Sequence, residues 1–115
     1  MNPKKLSGAN FVVYFGLRYT LPPEADVESL ETGEDPRLRA AKKGRLKVWW
    51  GRLTDGEYYF LLIGAELGRF GAEASLARSV QLEELNAVAN DVRQKLKASG
   101  FTEEPALHFQ MQAEY

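Results

Sequence analysis

Apolar and polar positions change period several times along the chain, and each change marks an element. From Asn10 to Thr20 (NFVVYFGLRYT) β-branched and aromatic residues dominate, closing at Leu21-Pro22-Pro23. This predicts a first strand, ended where two prolines cannot donate ladder hydrogen bonds. Arg45 to Leu53 and Glu57 to Glu66 predict two further strands joined by Thr54-Asp55-Gly56. Asp-Gly between apolar segments tolerates the positive φ of a tight hairpin turn. Ser79 to Ser99 follows a helical period, with Leu82, Leu85, Val88, Ala89, Val92 and Leu96 in one stripe. Ser79 is the expected cap. Glu83 and Glu84 suit the positive end of that helix and Arg93, Lys95 and Lys97 the negative end. Gly100 is the expected left-handed residue, with Phe101 folding back on Leu96. After Thr102-Glu103-Glu104-Pro105 the tail ALHFQMQAEY alternates strictly. It predicts a strand with Leu107, Phe109, Met111 and Ala113 inward and His108, Gln110, Gln112 and Glu114 outward.

Two stretches are less regular. Residues 24–44 carry Val27 and Leu30 as the sizeable apolar residues before Gly33. Asp35-Pro36 reads as a cap followed by proline at the first helical position, and Gly44 as the C-cap. The expectation is two short helices around Gly33. Residues 67–78 (LGRFGAEASLAR) keep no period and predict a loop. The resulting order is strand, helical connection, hairpin, helix, strand. It predicts an α+β ferredoxin-like β-α-β-β-α-β sandwich: a four-stranded antiparallel sheet with helices on one face, the first helix short or broken. Strands one and three, apolar on both faces, would be central, and the alternating strands two and four would be edges.

Composition alters this picture little. The chain has 115 residues, 44% of them hydrophobic and 27% charged, which suits one domain, with residues 1–9 expected to be a flexible N-terminus. Its lack of cysteine excludes a disulfide framework and a thiol nucleophile. Ser7, Gly8 and Asn10 interrupt any signal-like start, and the longest apolar run, Tyr58 to Ala65, is far short of a membrane span. The expected location is cytoplasmic, with no membrane partner. Net charge is −1, too small for a global basic field. The charges are nevertheless segregated. Glu24, Asp26, Glu28, Glu31, Glu34 and Asp35 form an acidic segment, followed by the basic Arg37, Arg39, Lys42, Lys43, Arg45, Lys47 and Arg52. Two solvated faces that partly neutralise each other are the simplest reading, and a bipolar docking surface is the sharper one.

Candidate chemistry lies on the sheet face away from the helices. Alternation puts Phe11, Val13, Phe15, Leu17, Leu46, Val48 and Trp50 toward the core, with Leu61 and Ile63 of strand three. It leaves Tyr14, Arg18, Lys47, Trp49, Tyr58, Phe60, His108 and Gln110 as the candidate ligand- or partner-binding residues. Aromatic rings among cations can stack on bases and meet phosphates. In that respect the face resembles an RNA-recognition motif, which implies single-stranded nucleic acid as an alternative partner. The third strand, Asp55-Gly56-Glu57-Tyr58-Tyr59-Phe60, departs from that motif's Lys/Arg-Gly start and second glycine. A face so apolar exceeds what monomers usually expose, so a homodimer or a protein partner is the leading expectation. Enzyme chemistry is poorly supplied. His108 is the sole histidine, no nucleophile-elbow or phosphate-loop sequence occurs, and no metal or cofactor is expected. The remaining alternative is a small hydrolase or isomerase-like enzyme with a pocket near His108.

Overall fold

A computed structural model describes residues 9–22, 27–53, 58–71 and 77–113. Four strands, β1 (Ala9–Leu21), β2 (Lys47–Arg52), β3 (Tyr59–Gly71) and β4 (Ala106–Ala113), form one antiparallel sheet in the order β2-β3-β1-β4. Helices α1 (Val27–Thr32) and α2 (Pro36–Lys43) connect β1 to β2, and α3 (Leu82–Ala98) connects β3 to β4. The protein is therefore an α+β domain with an open sheet. Its central strands are the two whose sequences are apolar on both faces. No helix among the described residues is long and apolar enough to cross a membrane.

The two central strands run side by side from Asn10–Gly71 to Leu21–Tyr59. Their flanking strands are staggered. β2 pairs only with Tyr59–Gly64 of β3, and β4 only with Ala9–Gly16 of β1. The two ladders end at Gly16 and Gly64, which face each other across the central pair. A Cβ on Gly16 would strike the Ile63 carbonyl oxygen, and one on Gly64 would strike the Phe15 carbonyl oxygen. With φ near +159° and +156°, both residues also hold a backbone that side chains avoid.

Helices pack on one face only. Leu30 of α1, Leu38 and Ala41 of α2, and Ala89, Val92 and Leu96 of α3 join Phe15, Leu17, Leu61, Ile63 and Leu67 in the main core. Val12, Tyr14, Phe60 and Leu62 form a second, smaller cluster, supported by Trp49 and Leu53. The core-facing assignment of alternating residues in β1 and β3 therefore holds as far as Leu67.

Beyond that point a bulge changes the phase. Val13 pairs with Gly68 but Tyr14 with Glu66, so Leu67 is the extra residue. Arg69 then lies opposite Val12 and Phe70 opposite Phe11, each on the other face from the one simple alternation assigns. The expected 67–78 loop is correspondingly shorter: residues 67–71 belong to β3, and residues 72–76 lie outside the described residues. So do the hairpin turn 54–56 and the N-terminal segment, apart from Ala9, which opens β1.

Helix ends follow local chemistry with two exceptions. Asp35 caps α2 by accepting from the Arg37 backbone N–H at 2.8 Å, with Pro36 at the first helical position. Gly100 (φ +92°) and the bond from Phe101 N–H to the Leu96 carbonyl close α3 in a Schellman motif, as expected. At its start, however, Gln81 and not Ser79 is the cap position, with no side-chain cap bond. α2 also ends in a Schellman motif, Leu46 N–H donating to the Ala41 carbonyl and Arg45 N–H to that of Lys42. Gly44 is its C-cap, yet Arg45 takes the left-handed conformation (φ 60°). Glycine sits one place earlier, where a Cβ at 44 would crowd the Ser99 side chain and the ends of α2 and α3 meet.

The Gly16–Gly64 contact generates a stability prediction. Gly64→Ala is expected to destabilise the fold by about 2–4 kcal/mol, because the methyl must displace backbone on a neighbouring strand. Urea unfolding measures it, and a loss below about 0.5 kcal/mol, typical of a neutral surface change, would contradict the contact.

Candidate functional site

The eight sequence-derived candidates fall into four groups. Tyr14 and Phe60 are 1% and 0% exposed, within the second cluster, so their rings are not presented for stacking on a base. Burial, with Glu66 nearby, pushes the Tyr14 hydroxyl well above its ordinary pKa. Trp49 is half-buried beside them and carries the Arg69 guanidinium 3.8 Å from its ring centroid. Arg69 also pairs with Glu66 at 2.9 Å, while its Nε is buried without a hydrogen-bond partner. The expected open face is thus closed at its centre by apolar packing, with the Arg69 guanidinium over the Trp49 ring. Arg69 was not among the candidates, because only the bulge brings it to this face.

Arg18, His108 and Gln110 form the second group, at the β1–β4 ladder. Arg18 Nε donates to Gln110 Oε1 at 2.7 Å and Nη1 to Thr20 Oγ1 at 2.7 Å. The amide of Gln110 donates to the Met111 carbonyl at 2.9 Å, and His108 Nε2 donates to the Gly16 carbonyl at 3.0 Å. Gln110 is buried with both ends of its amide occupied. These contacts tie the edge strand to β1 and hold the histidine ring against backbone. The third group is Tyr58 alone, exposed just ahead of β3, where its carbonyl accepts from Leu53 N–H. Lys47, the fourth, borders a cleft of about 650 Å³ between β2 and the α1–α2 connection, along with Leu46 and Trp50.

The largest departure from the sequence expectation is at β4. Its alternation is as expected, but the residues assigned inward are exposed: Leu107 by 40%, Phe109 by 59% and Met111 by 50%. Register explains their side of the sheet. They lie opposite Phe15, Val13 and Phe11, hence on the helix-bearing face. α3 buries Ala89, Val92 and Leu96 against β1 and β3 and leaves the outer part of that face bare. Phe11, Phe70 and Phe109 cluster there, the Phe11 ring 6.3 Å from Phe70 and 6.0 Å from Phe109. They line an apolar groove of about 330 Å³. Neither this groove nor the β2 cleft is lined by His108.

Charge segregation resolves at a single junction. Arg37 forks onto Asp35 at 3.2 and 3.1 Å and lies 5.1 Å from the Tyr19 ring centroid. The Tyr19 hydroxyl donates to Glu103 at 2.9 Å, and burial first, then this bond, pushes its pKa up to about 12. Arg37 holds the Asp35 carboxyl below the usual range. Among the described residues this is the one ion pair that joins the acidic and basic segments. Compared with family models, curated proteins and solved structures, the chain matches none.

Asp35→Ala should cost about 1–2 kcal/mol at neutral pH, the range for a lost N-cap with its charge-assisted bonds. A carboxyl whose folded pKa is lowered stabilises most above its unfolded pKa of about 3.9, and that contribution disappears as pH falls through the folded value. The gap between wild type and variant should therefore be full at pH 6 and above and narrow below about pH 4, as followed by thermal unfolding across pH. A gap that stays constant or widens on acidification would contradict the Asp35–Arg37 assignment.

Proposed function

We propose that this protein is a non-enzymatic binding protein that acts by self-association, pairing the β4 edge of one copy with that of another. The carrying observation is an exposed edge strand whose apolar side is uncovered. Edge strands invite pairing, and proteins that avoid it place charge, proline or a bulge there. Between Ala106 and Ala113 there is no Asp, Glu, Lys, Arg or Pro. The opposite edge contrasts with it. β2 begins with Lys47 and ends with Arg52, both exposed, so two copies of that edge would bring like charges together. A two-fold axis at Phe109 would set Phe109 against its copy and Leu107 against Met111, keeping apolar residues on one face. His108 and Gln110 would line the other.

The architecture read with this function is the ferredoxin-like split β-α-β sandwich. Supporting it are the central placement of β1 and β3, the antiparallel pairing throughout, and a helical connection after each of those strands. Such a sheet leaves two edges, which makes edge pairing available without any change of fold.

Sedimentation velocity tests the proposal. The protein should be dimeric at about 10 µM, a moderate affinity for a self-pairing interface. Phe109→Lys should be monomeric with unchanged circular dichroism, since the side chain it replaces is mostly in solvent. A wild-type monomer up to about 100 µM, or a Phe109→Lys variant that remains dimeric, would overturn it.

A further inference from the structure

A second surface carries an independent inference. On the edge of the sheet away from β4, the cleft of about 650 Å³ lies within the size range of small-molecule sites. Its apolar part includes Leu46, which is buried, and Trp50, which packs on the main core. Lys42, Arg45 and Lys47 border it, with Glu31 as the acid among its lining residues. Among the described residues, the three cationic side chains make no ion pair or side-chain hydrogen bond.

The α2 terminus does not account for them. Its Ala40, Ala41 and Lys42 carbonyls already accept from Gly44, Leu46 and Arg45 N–H groups, so the negative end of the helix is largely closed by backbone. The conformation of Arg45 is the second observation. Its φ of 60° is one that glycine takes without cost and a long side chain does not. Gly44 lies against Ser99, whereas the Arg45 side chain is exposed and not part of the core packing. A strained residue that places a cation at a cleft is a reason to look for an anion there.

We infer that this cleft binds a small organic anion, its acid group held by Lys42, Arg45 and Lys47 and its apolar body against Leu46 and Trp50. The inference goes beyond self-association and does not depend on it, because β2 and β4 are opposite edges of the sheet.

Tryptophan separates the two faces experimentally. Trp50 packs on the helix-bearing core and lines the cleft, whereas Trp49 sits in the second cluster. Phenyl phosphate titrated into the ¹⁵N-labelled full chain should shift the Trp50 indole and the amides of residues 45–48 saturably, leaving the Trp49 indole unmoved. Benzyl alcohol and inorganic phosphate should each bind more weakly, since each offers half of the ligand. Arg45→Gln and Lys42→Gln should each weaken binding by about tenfold, as expected for loss of one charge-assisted contact. Arg45→Gly should weaken binding while moving the urea midpoint upward, because it relieves the backbone. Absence of a saturable Trp50 shift would overturn the site, as would affinity unchanged in both glutamine variants. An Arg45→Gly protein that keeps full affinity would do the same. Each of these results leaves the β4 dimer untouched, and a monomeric wild type leaves this site untouched.

Discussion

Two glycines facing each other at the centre of the sheet set the geometry on which the other features depend. Gly16 and Gly64 let β1 and β3 approach so closely that either Cβ would meet backbone of the opposing strand. They also mark where each flanking strand ends, so β2 serves one half of the long central pair and β4 the other. This stagger has a consequence for the helices. α1 and α2 sit at the β2 end and α3 crosses the middle, leaving the helix-side face of β4 bare. The strand order places the basic cleft and the apolar edge at opposite margins.

The two faces of the sheet are closed by different means. On one, helices contribute aliphatic side chains to a conventional core. On the other, Val12, Tyr14, Phe60 and Leu62 are buried in a small cluster beside Trp49, with Arg69 stacked on the indole. A guanidinium is weakly hydrated and can lie on an aromatic face at modest desolvation cost. An aromatic-rich face can therefore be closed without being apolar at its surface. Polar contacts at its margin, Arg18 to Gln110 and His108 to the Gly16 carbonyl, brace the edge strand from the same side. Three residues of the expected ligand platform, Arg18, His108 and Gln110, thus also brace the β1–β4 ladder.

The proposed self-association rests on what the sheet leaves unsatisfied. β1 and β3 have both edges paired, and β2 carries cations at each end of its free edge. Among the described residues, β4 combines an unpaired edge with exposed Leu107, Phe109 and Met111. Burial of those side chains by a copy of the same strand would remove apolar area from water and satisfy strand-edge hydrogen-bonding groups together. The small-anion proposal at the other margin rests on a different feature, cations that make no ion pair among the described residues around an apolar cleft.

Much of this architecture was legible from the residues alone. β-branched and apolar runs located β1 and β3, alternation located β2 and β4, Asp35-Pro36 and Gly100 located helix ends, and doubly apolar β1 and β3 announced the central positions, since local sterics and face burial act on each segment separately. What the chain could not reveal by itself depended on contacts between distant segments. The bulge at Leu67 moved Arg69 and Phe70 to opposite faces, and no local feature of LGRFG distinguishes that outcome from plain alternation. The left-handed residue fell at Arg45 and not at a glycine because α2 runs to Lys43, and Gly44 instead sits against Ser99, 54 positions later than Arg45 in the numbering. Alternation in β4 correctly told which residues share a side. Whether that side would be covered depended on where α3 came to rest, and only tertiary packing decides that.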